Sequence, residues 1–215
     1  MSAAPIPETH APPAPLPIRL APAETFAAIR ALFRRAEFDD PTLARRLGGP
    51  HLFGFPRLAD GRKTVAGPVE DANAALIRLL LDGEPLPEAL VVALCGAEAV
   101  EALVAVGVLV PDAADATALR ATVLLAPVHD VWLATDRPPG GRRPDPRTVP
   151  RDFVFPALSD LTREFLEMIP PAPGARVLEL CAGSGVAALL AAHRGAAEAW
   201  ATDVTARSVH FARFN

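Results

Sequence analysis

The sequence predicts an α/β protein with two parts: helices that lead into a β-ribbon, and then the start of a parallel sheet. In the first part, apolar residues recur at helical spacing between residues 21 and 110, and two strand-like runs follow. The second part has a strand, a glycine turn, a helix and a second strand between residues 176 and 202. That order of elements is typical of a parallel sheet with crossover helices.

The composition narrows the class of protein. The 215 residues are 51% hydrophobic and 21% charged, which suits a globular chain with a core. The net charge of −4 gives no general attraction to nucleic acid or anionic membranes. Because Cys95 and Cys181 lie far apart, we expect no disulfide framework and a cytoplasmic location. We also expect no metal site and no membrane segment, since neither ligand spacing nor a long apolar stretch occurs.

The first part of the chain predicts a tail and a helical accessory domain. Residues 1–20 are rich in proline and alanine and predict a disordered tail. Residues 21–136 predict a helical domain that opens at 22–24 and ends in strand-like runs at 119–125 and 130–135, an arrangement that resembles a winged helix. The helix expected at 97–106 carries Glu98 and Glu101 and no Arg or Lys. Acidic side chains repel phosphate, so we expect no direct reading of duplex DNA by this helix.

Within this domain, further helices are expected at 42–47, 72–81 and 87–94, each bounded by turn residues. Residues 137–151 are dense in proline and glycine and predict a linker between the two domains. Two interpretations of its basic side chains stay open: a solvated linker, or a strap that touches phosphate beside a site that handles RNA. The basic residues are Arg137, Arg142, Arg143, Arg147 and Arg151.

Residues 152–215 predict the start of a second, α/β domain. Ser159 or Asp160 is expected to cap a helix with one apolar face, which ends in the proline-rich stretch 170–174. A buried strand at 176–180, a helix at 186–193, a strand at 198–202 and a helix at 206–215 follow. Because two strands cannot cover their own apolar faces, we expect exposed apolar surface in this part.

Four residues of this second domain predict a ligand site. Glu179 lies in an apolar strand, where a carboxylate is costly without a partner, so it suggests a ligand with hydrogen-bond donors. Gly183 and Gly185 allow the backbone to approach a bulky ligand and turn into the helix. Asp203 ends the next strand, where an acid accepts hydrogen bonds from ribose hydroxyls. Ligands of parallel sheets bind at this carboxyl edge of the strands.

The same residues resemble a known family. The run VLELCAGSG at 177–185 is similar to the first motif of class I S-adenosylmethionine-dependent methyltransferases, and ATDVTARSV at 201–209 is similar to their second, acid-ended strand. FARFN at 211–215 and DFVFP at 152–156 resemble segments of the small-domain group, which methylates release-factor glutamine or rRNA guanine. The resemblance covers residues 150–215 and implies a Rossmann-like domain that binds S-adenosylmethionine.

The resemblance also implies roles for single residues. Gly183 and Gly185 would line the methionine and adenosine side of the cofactor, and Glu179 would lie near its amino group or ordered waters. Asp203 would hold the ribose hydroxyls, and Val204 would touch the adenine.

Three more residues complete the site that the resemblance implies. Cys181 and Ala182 would form part of the cofactor wall, and Pro156 belongs to the segment that caps the cofactor. Cys181 departs from the family pattern, which usually has glycine at this position.

The catalytic residues and the methyl acceptor are not identified by the sequence. The family orients its target nitrogen with an Asn-Pro-Pro-Tyr-type motif after the fourth strand, and we expect that motif beyond Asn215, in a longer parent enzyme. A protein side chain, an RNA base or a small-molecule amine could each be the acceptor. Two other functions stay open: a non-catalytic interaction module with a vestigial half-site, and an NAD-dependent oxidoreductase, which a loose Gly-x-Gly-x-x-Ala pattern at 183–188 allows.

Overall fold

The computed structural model describes residues 15–49, 51–52, 67–138 and 149–215, and in these ranges the chain is a mixed α/β protein. The helices are α1 (Ala23–Arg35), α2 (Asp40–Leu47), α3 (Ala72–Leu76), α4 (Glu88–Cys95), α5 (Ala97–Ala105), α6 (Asp160–Met168), α7 (Val186–His193) and α8 (Ala206–Phe214). The strands are β1 (Leu86–Pro87), β2 (Leu109–Pro111), β3 (Ala118–Ala121), β4 (Val123–Val128), β5 (Val131–Asp136), β6 (Arg176–Leu180) and β7 (Glu198–Thr202).

Short polar side chains begin several of these helices. Asp39 accepts a hydrogen bond from the Thr42 N–H (2.8 Å) at α2, and Asp71 does the same for α3. At α6 the cap is Ser159, whose hydroxyl accepts from the Thr162 N–H (3.1 Å), as the sequence predicts. Each such bond satisfies an N–H that has no partner within its helix.

The predicted helix at 72–81 continues past α3 as a π-helical segment, Ile77–Asp82. The guanidinium of Arg137 donates to the carbonyls of Leu80 (2.7 Å) and Leu81 (2.9 Å), near the end of this segment, and to that of Val123 (2.8 Å). Burial lowers the pKa of Arg137 to about 10. Arg137 is therefore a structural residue and not part of a solvated linker, which corrects the predicted boundary at 137.

The other basic residues of the predicted linker are described only in part. Arg142, Arg143 and Arg147 lie outside the described residues, as do residues 1–14 of the predicted tail. Arg151 is described and exposed.

Two antiparallel sheets form in the first part. β3 pairs with both β1 and β2, and β4 pairs with β5 in a hairpin that runs from Val123↔Asp136 to Val128↔Val131. The predicted single run at 119–125 is thus two strands in different sheets. The hydroxyl of Thr122, between them, donates to the Gly107 carbonyl (2.7 Å) and fixes the change of direction.

The third sheet is the parallel pair β6–β7, in register from Arg176↔Glu198 to Leu180↔Thr202. Helix α7 connects the two strands and contacts both. Apolar side chains on the strands remain in solvent: Leu178 is 56% exposed, Leu180 70% and Trp200 46%. The expectation of uncovered apolar surface therefore agrees with the structure. The expectation of a buried strand at 176–180 is wrong, because within the described residues β6 pairs with β7 alone and its side chains stay exposed or half-exposed.

The two parts of the chain share one core. Phe211 and Phe214 of α8 belong to the same buried cluster as Phe33 of α1, and the rings of Phe26 and Phe214 meet edge to face at 5.3 Å. Aromatic pairs in this geometry add stability beyond the area that they bury. Helix α8 thus anchors the parallel pair to the helical part.

A buried ion pair reinforces this connection. Arg207 of α8 donates through Nε to Asp136 of β5 (2.7 Å), and both side chains are more than 90% buried. Arg207 also donates to the Pro15 carbonyl (3.1 Å). Ile18 is buried, and the Arg19 N–H donates to the Val106 carbonyl (2.8 Å). Residues 15–20 are therefore packed, which corrects the predicted end of the disordered tail.

Over the described ranges, none of the helices combines the length and the apolar character that crossing a bilayer requires.

Candidate functional site

A cleft of about 440 Å³ opens at the carboxyl ends of β6 and β7. Its walls are the segment 151–157, the α6 residues Thr162 and Phe165, the loop 181–184 and the start of α8. Six of the predicted site residues line it: Pro156, Glu179, Cys181, Ala182, Gly183 and Asp203. The edge of the sheet that the sequence predicts for ligand binding is thus where this cleft lies.

A second cavity, of about 250 Å³, lies between α1, the β4–β5 hairpin and α8. Its walls are mostly apolar, with Phe26, Phe33 and Trp132 among them, and it holds none of the predicted site residues. We regard the cleft at β6 and β7 as the candidate site, because the predicted polar residues Glu179 and Asp203 both line it.

The loop between β6 and α7 has an unusual backbone. Cys181, Gly183 and Gly185 all have left-handed φ angles, of 56°, 54° and 79°. A β-carbon added at Gly183 would meet nothing within 4 Å, so this part of the loop faces open space. A β-carbon at Gly185 would lie 3.0 Å from that of Ala212, so Gly185 is needed for contact with α8 and does not line the cleft.

Asp203 joins the two strand ends. Its Oδ2 accepts from the Gly183 N–H (2.9 Å) and its Oδ1 from the Thr205 N–H (2.9 Å). Partial desolvation raises the pKa of Asp203, but hydrogen bonds from Thr205, Gly183 and Ser208 outweigh it, so the net pKa is below the usual value. Asp203 is therefore ionised at neutral pH and keeps lone pairs for further donors.

The carboxylate of Glu179 has a partner inside the chain. It accepts from the Ala187 N–H (3.3 Å) and the Ala188 N–H (2.8 Å) in the first turn of α7. Desolvation raises the pKa of Glu179, and these two hydrogen bonds oppose that rise. The inference that Glu179 needs a ligand to satisfy it is wrong, because the helix N-terminus supplies the donors.

The remaining predicted residues differ in exposure. Ala182 is buried in the wall, Cys181 is an exposed free thiol, and Pro156 is half-buried. Val204 is 96% exposed and is not part of the cleft wall.

Several cleft residues were not singled out by the sequence. Thr205 caps α8 by accepting from the Ser208 N–H (3.1 Å), and its hydroxyl donates to that of Ser208 (2.7 Å). A threonine directly before a helical pattern is a recognisable N-cap signal. Phe165 and Asp152 also line the cleft. Asp152 begins the segment 152–156 that resembles the family's cofactor cap, and Phe165 lies in the predicted helix after it, but the sequence gives neither residue a role of its own.

The described residues that line the cleft include three carboxylates and one thiol. No histidine is among the described residues of the cleft wall, so no imidazole there is placed to activate the Cys181 thiol. Within the described residues, no group of three or more His, Cys, Asp or Glu side chains is placed to hold a metal ion. The cleft therefore offers carboxylates, backbone N–H groups and apolar walls.

Comparison with known protein families gives no match for this chain, and comparison with curated proteins gives none either.

Proposed function

We propose that this chain is an S-adenosylmethionine-dependent methyltransferase, or the N-terminal part of one, and that the cleft holds the cofactor. The observation that carries the proposal is the hydrogen bond from the Gly183 N–H to Asp203, which brings the glycine loop and the strand-end acid to one edge of a parallel pair. An acid beside a glycine turn at such an edge is the arrangement that binds adenosine riboses. In the same proposal, β6, α7 and β7 begin a Rossmann-like sheet, and the helical part is a winged-helix-like accessory domain.

The dimensions and chemistry of the cleft agree with such a ligand. Ligand sites commonly enclose roughly 300–1,000 Å³, and this cleft has about 440 Å³. The open space before Gly183 leaves room for a ligand against the backbone. The ionised Asp203 can accept from ribose hydroxyls.

Each lining residue then has a task. Asp203 would bind the ribose, while Ala182, Cys181 and Pro156 would form the walls. Glu179 would support the site indirectly, because its carboxylate accepts a hydrogen bond from the first turn of α7 and holds that turn in place.

The cofactor would supply an electrophilic methyl group, and the protein would align it with the acceptor and exclude water. We propose a nitrogen of a protein side chain or an RNA base as the acceptor, with a small-molecule amine as the alternative. No described side chain is assigned a catalytic role.

Titration calorimetry with S-adenosylhomocysteine tests the proposal. We expect micromolar binding by the wild-type chain and a loss of about tenfold or more in Asp203→Asn, because hydrogen bonds to a charged group are worth about 1.5–3 kcal/mol. Asp115→Asn is the matched control, since Asp115 also accepts from a nearby backbone N–H, that of Thr117 (2.9 Å), but lies outside the cleft.

Two results would contradict the proposal. Tighter binding of NAD than of S-adenosylhomocysteine would favour an oxidoreductase. A folded chain that binds neither ligand would favour a non-catalytic interaction module. The exposed apolar side chains of Leu180 and Trp200 support that function, because exposed apolar surface often marks a protein-binding site.

A further inference from the structure

Asp152 carries an unsatisfied carboxylate oxygen in the wall of the cleft. Its Oδ1 is buried and has no hydrogen-bond partner, and its side chain lines the same cleft as Asp203. Buried polar atoms in native proteins almost always have a donor, so an exception calls for a ligand, an ion or a water. A carboxylate is especially costly to leave unpaired.

Glu179 and Asp203, which also line the cleft, both receive hydrogen bonds from backbone N–H groups. Glu179 accepts from two N–H groups of α7, and Asp203 accepts from the N–H groups of Gly183 and Thr205. Among the described carboxylates of the cleft, Asp152 is therefore the one with a buried oxygen that receives no donor from the chain.

The nearby cations do not hydrogen-bond to Asp152. Arg207 attracts it through space, but the Nε and Nη2 of Arg207 both donate to Asp136. Arg151 also lines the cleft and has interactions of its own. A cationic group on the ligand would supply both a donor to Oδ1 and a compensating charge, whereas a hydroxyl would supply only the donor.

We propose that Asp152 receives the ammonium group of the amino-acid moiety of the cofactor, an inference that rests on the proposed function. An ammonium has three donors and a full positive charge, which matches a carboxylate that has one buried oxygen without a donor. The resemblance implies either the amino group or ordered waters near Glu179, but that carboxylate already accepts hydrogen bonds from α7. In this arrangement Asp203 binds the ribose and Asp152 binds the ammonium group of the same ligand.

The test compares two ligands on the full chain by titration calorimetry. S-adenosylhomocysteine has the ammonium, and 5′-methylthioadenosine lacks the whole amino-acid moiety. For Asp152→Asn we expect S-adenosylhomocysteine to bind about tenfold or more weakly, because a charge-assisted hydrogen bond is lost, while 5′-methylthioadenosine binds as it does to the wild type. Asp160→Asn is the control, since Asp160 lies in the first turn of α6 and is not part of the cleft wall.

Each other result has a definite meaning. If Asp152→Asn binds S-adenosylhomocysteine like the wild type, the role of Asp152 is overturned and the proposed function stands. If both ligands weaken equally, Asp152 contacts the adenosine part and the assignment of the ammonium is overturned. If the folded wild type binds neither ligand, the proposed function fails and this inference fails with it.

A second readout separates ligand binding from a structural role. Within the described residues no N–H donates to Oδ1 of Asp152, so Asp152→Asn is expected not to lower the melting temperature of the unliganded protein. A clear drop in melting temperature together with unchanged binding would show that Asp152 stabilises the fold instead.

Discussion

Replacement of Cys181 by glycine should stabilise the protein. Cys181 has a φ of 56°, and left-handed backbone costs a residue with a β-carbon roughly 1–2 kcal/mol. Glycine removes that cost but has more freedom in the unfolded chain, a penalty of roughly 0.5–1 kcal/mol. The thiol is exposed, so no buried contact is lost. The difference predicts that Cys181→Gly raises the free energy of unfolding by about 0.5–1 kcal/mol.

Urea denaturation followed by circular dichroism measures this change. The midpoint should move to higher urea while the slope stays constant, because the surface exposed on unfolding is nearly the same. Cys95→Gly is the control: Cys95 is 1% exposed in the last turn of α4, so the same substitution there should destabilise. A less stable Cys181→Gly variant would refute the reasoning, because the side chain and not the backbone would then determine this position.

Two other variants test the shared core, through the buried ion pair of Asp136 with Arg207, and the effect of burial on Glu179. Asp136→Asn should lower the free energy of unfolding by about 3 kcal/mol or more in urea denaturation, because Arg207 would be left buried without its counter-charge, and an unchanged value would contradict a shared core. Folding raises the pKa of Glu179 above its ordinary 4.5, so its contribution to stability is complete below pH 4.5 and is lost as pH rises through the folded pKa. Stability measured from pH 4.5 to 7 should therefore fall less steeply with pH in Glu179→Gln, and equal slopes would contradict this role of burial.

Much of the second part could be predicted from the sequence. Three elements begin and end at the predicted residues: the strand at 176–180, the helix at 186–193 and the strand at 198–202. Glycines separate these elements, and their apolar runs are short, so local signals determine the boundaries. The cleft followed from this order, because parallel strands bring their carboxyl ends to one edge.

The predictions from sequence that were wrong concern side chains whose hydrogen-bond partners are distant in sequence. Arg137 donates to the Leu81 carbonyl 56 residues away, and nothing in a proline-rich stretch predicts that contact. The split at Thr122 depends on a carbonyl 15 residues earlier. Glu179 finds its donors eight and nine residues later, across the loop, so a strand pattern alone could not reveal them. Local pattern predicts the elements, while tertiary contacts decide which polar groups stay available for a ligand.

The most direct test of the cofactor cleft is the alkylation rate of Cys181 with and without S-adenosylhomocysteine, measured by mass spectrometry. Cys95 is an internal reference, because burial raises the pKa of its thiol to about 11 and keeps it unreactive. Cys181 is exposed and lines the cleft, so a ligand seated there should shield it. The proposed site predicts that S-adenosylhomocysteine slows the labelling of Cys181 and that NAD does not. An unchanged rate at saturating S-adenosylhomocysteine would contradict it.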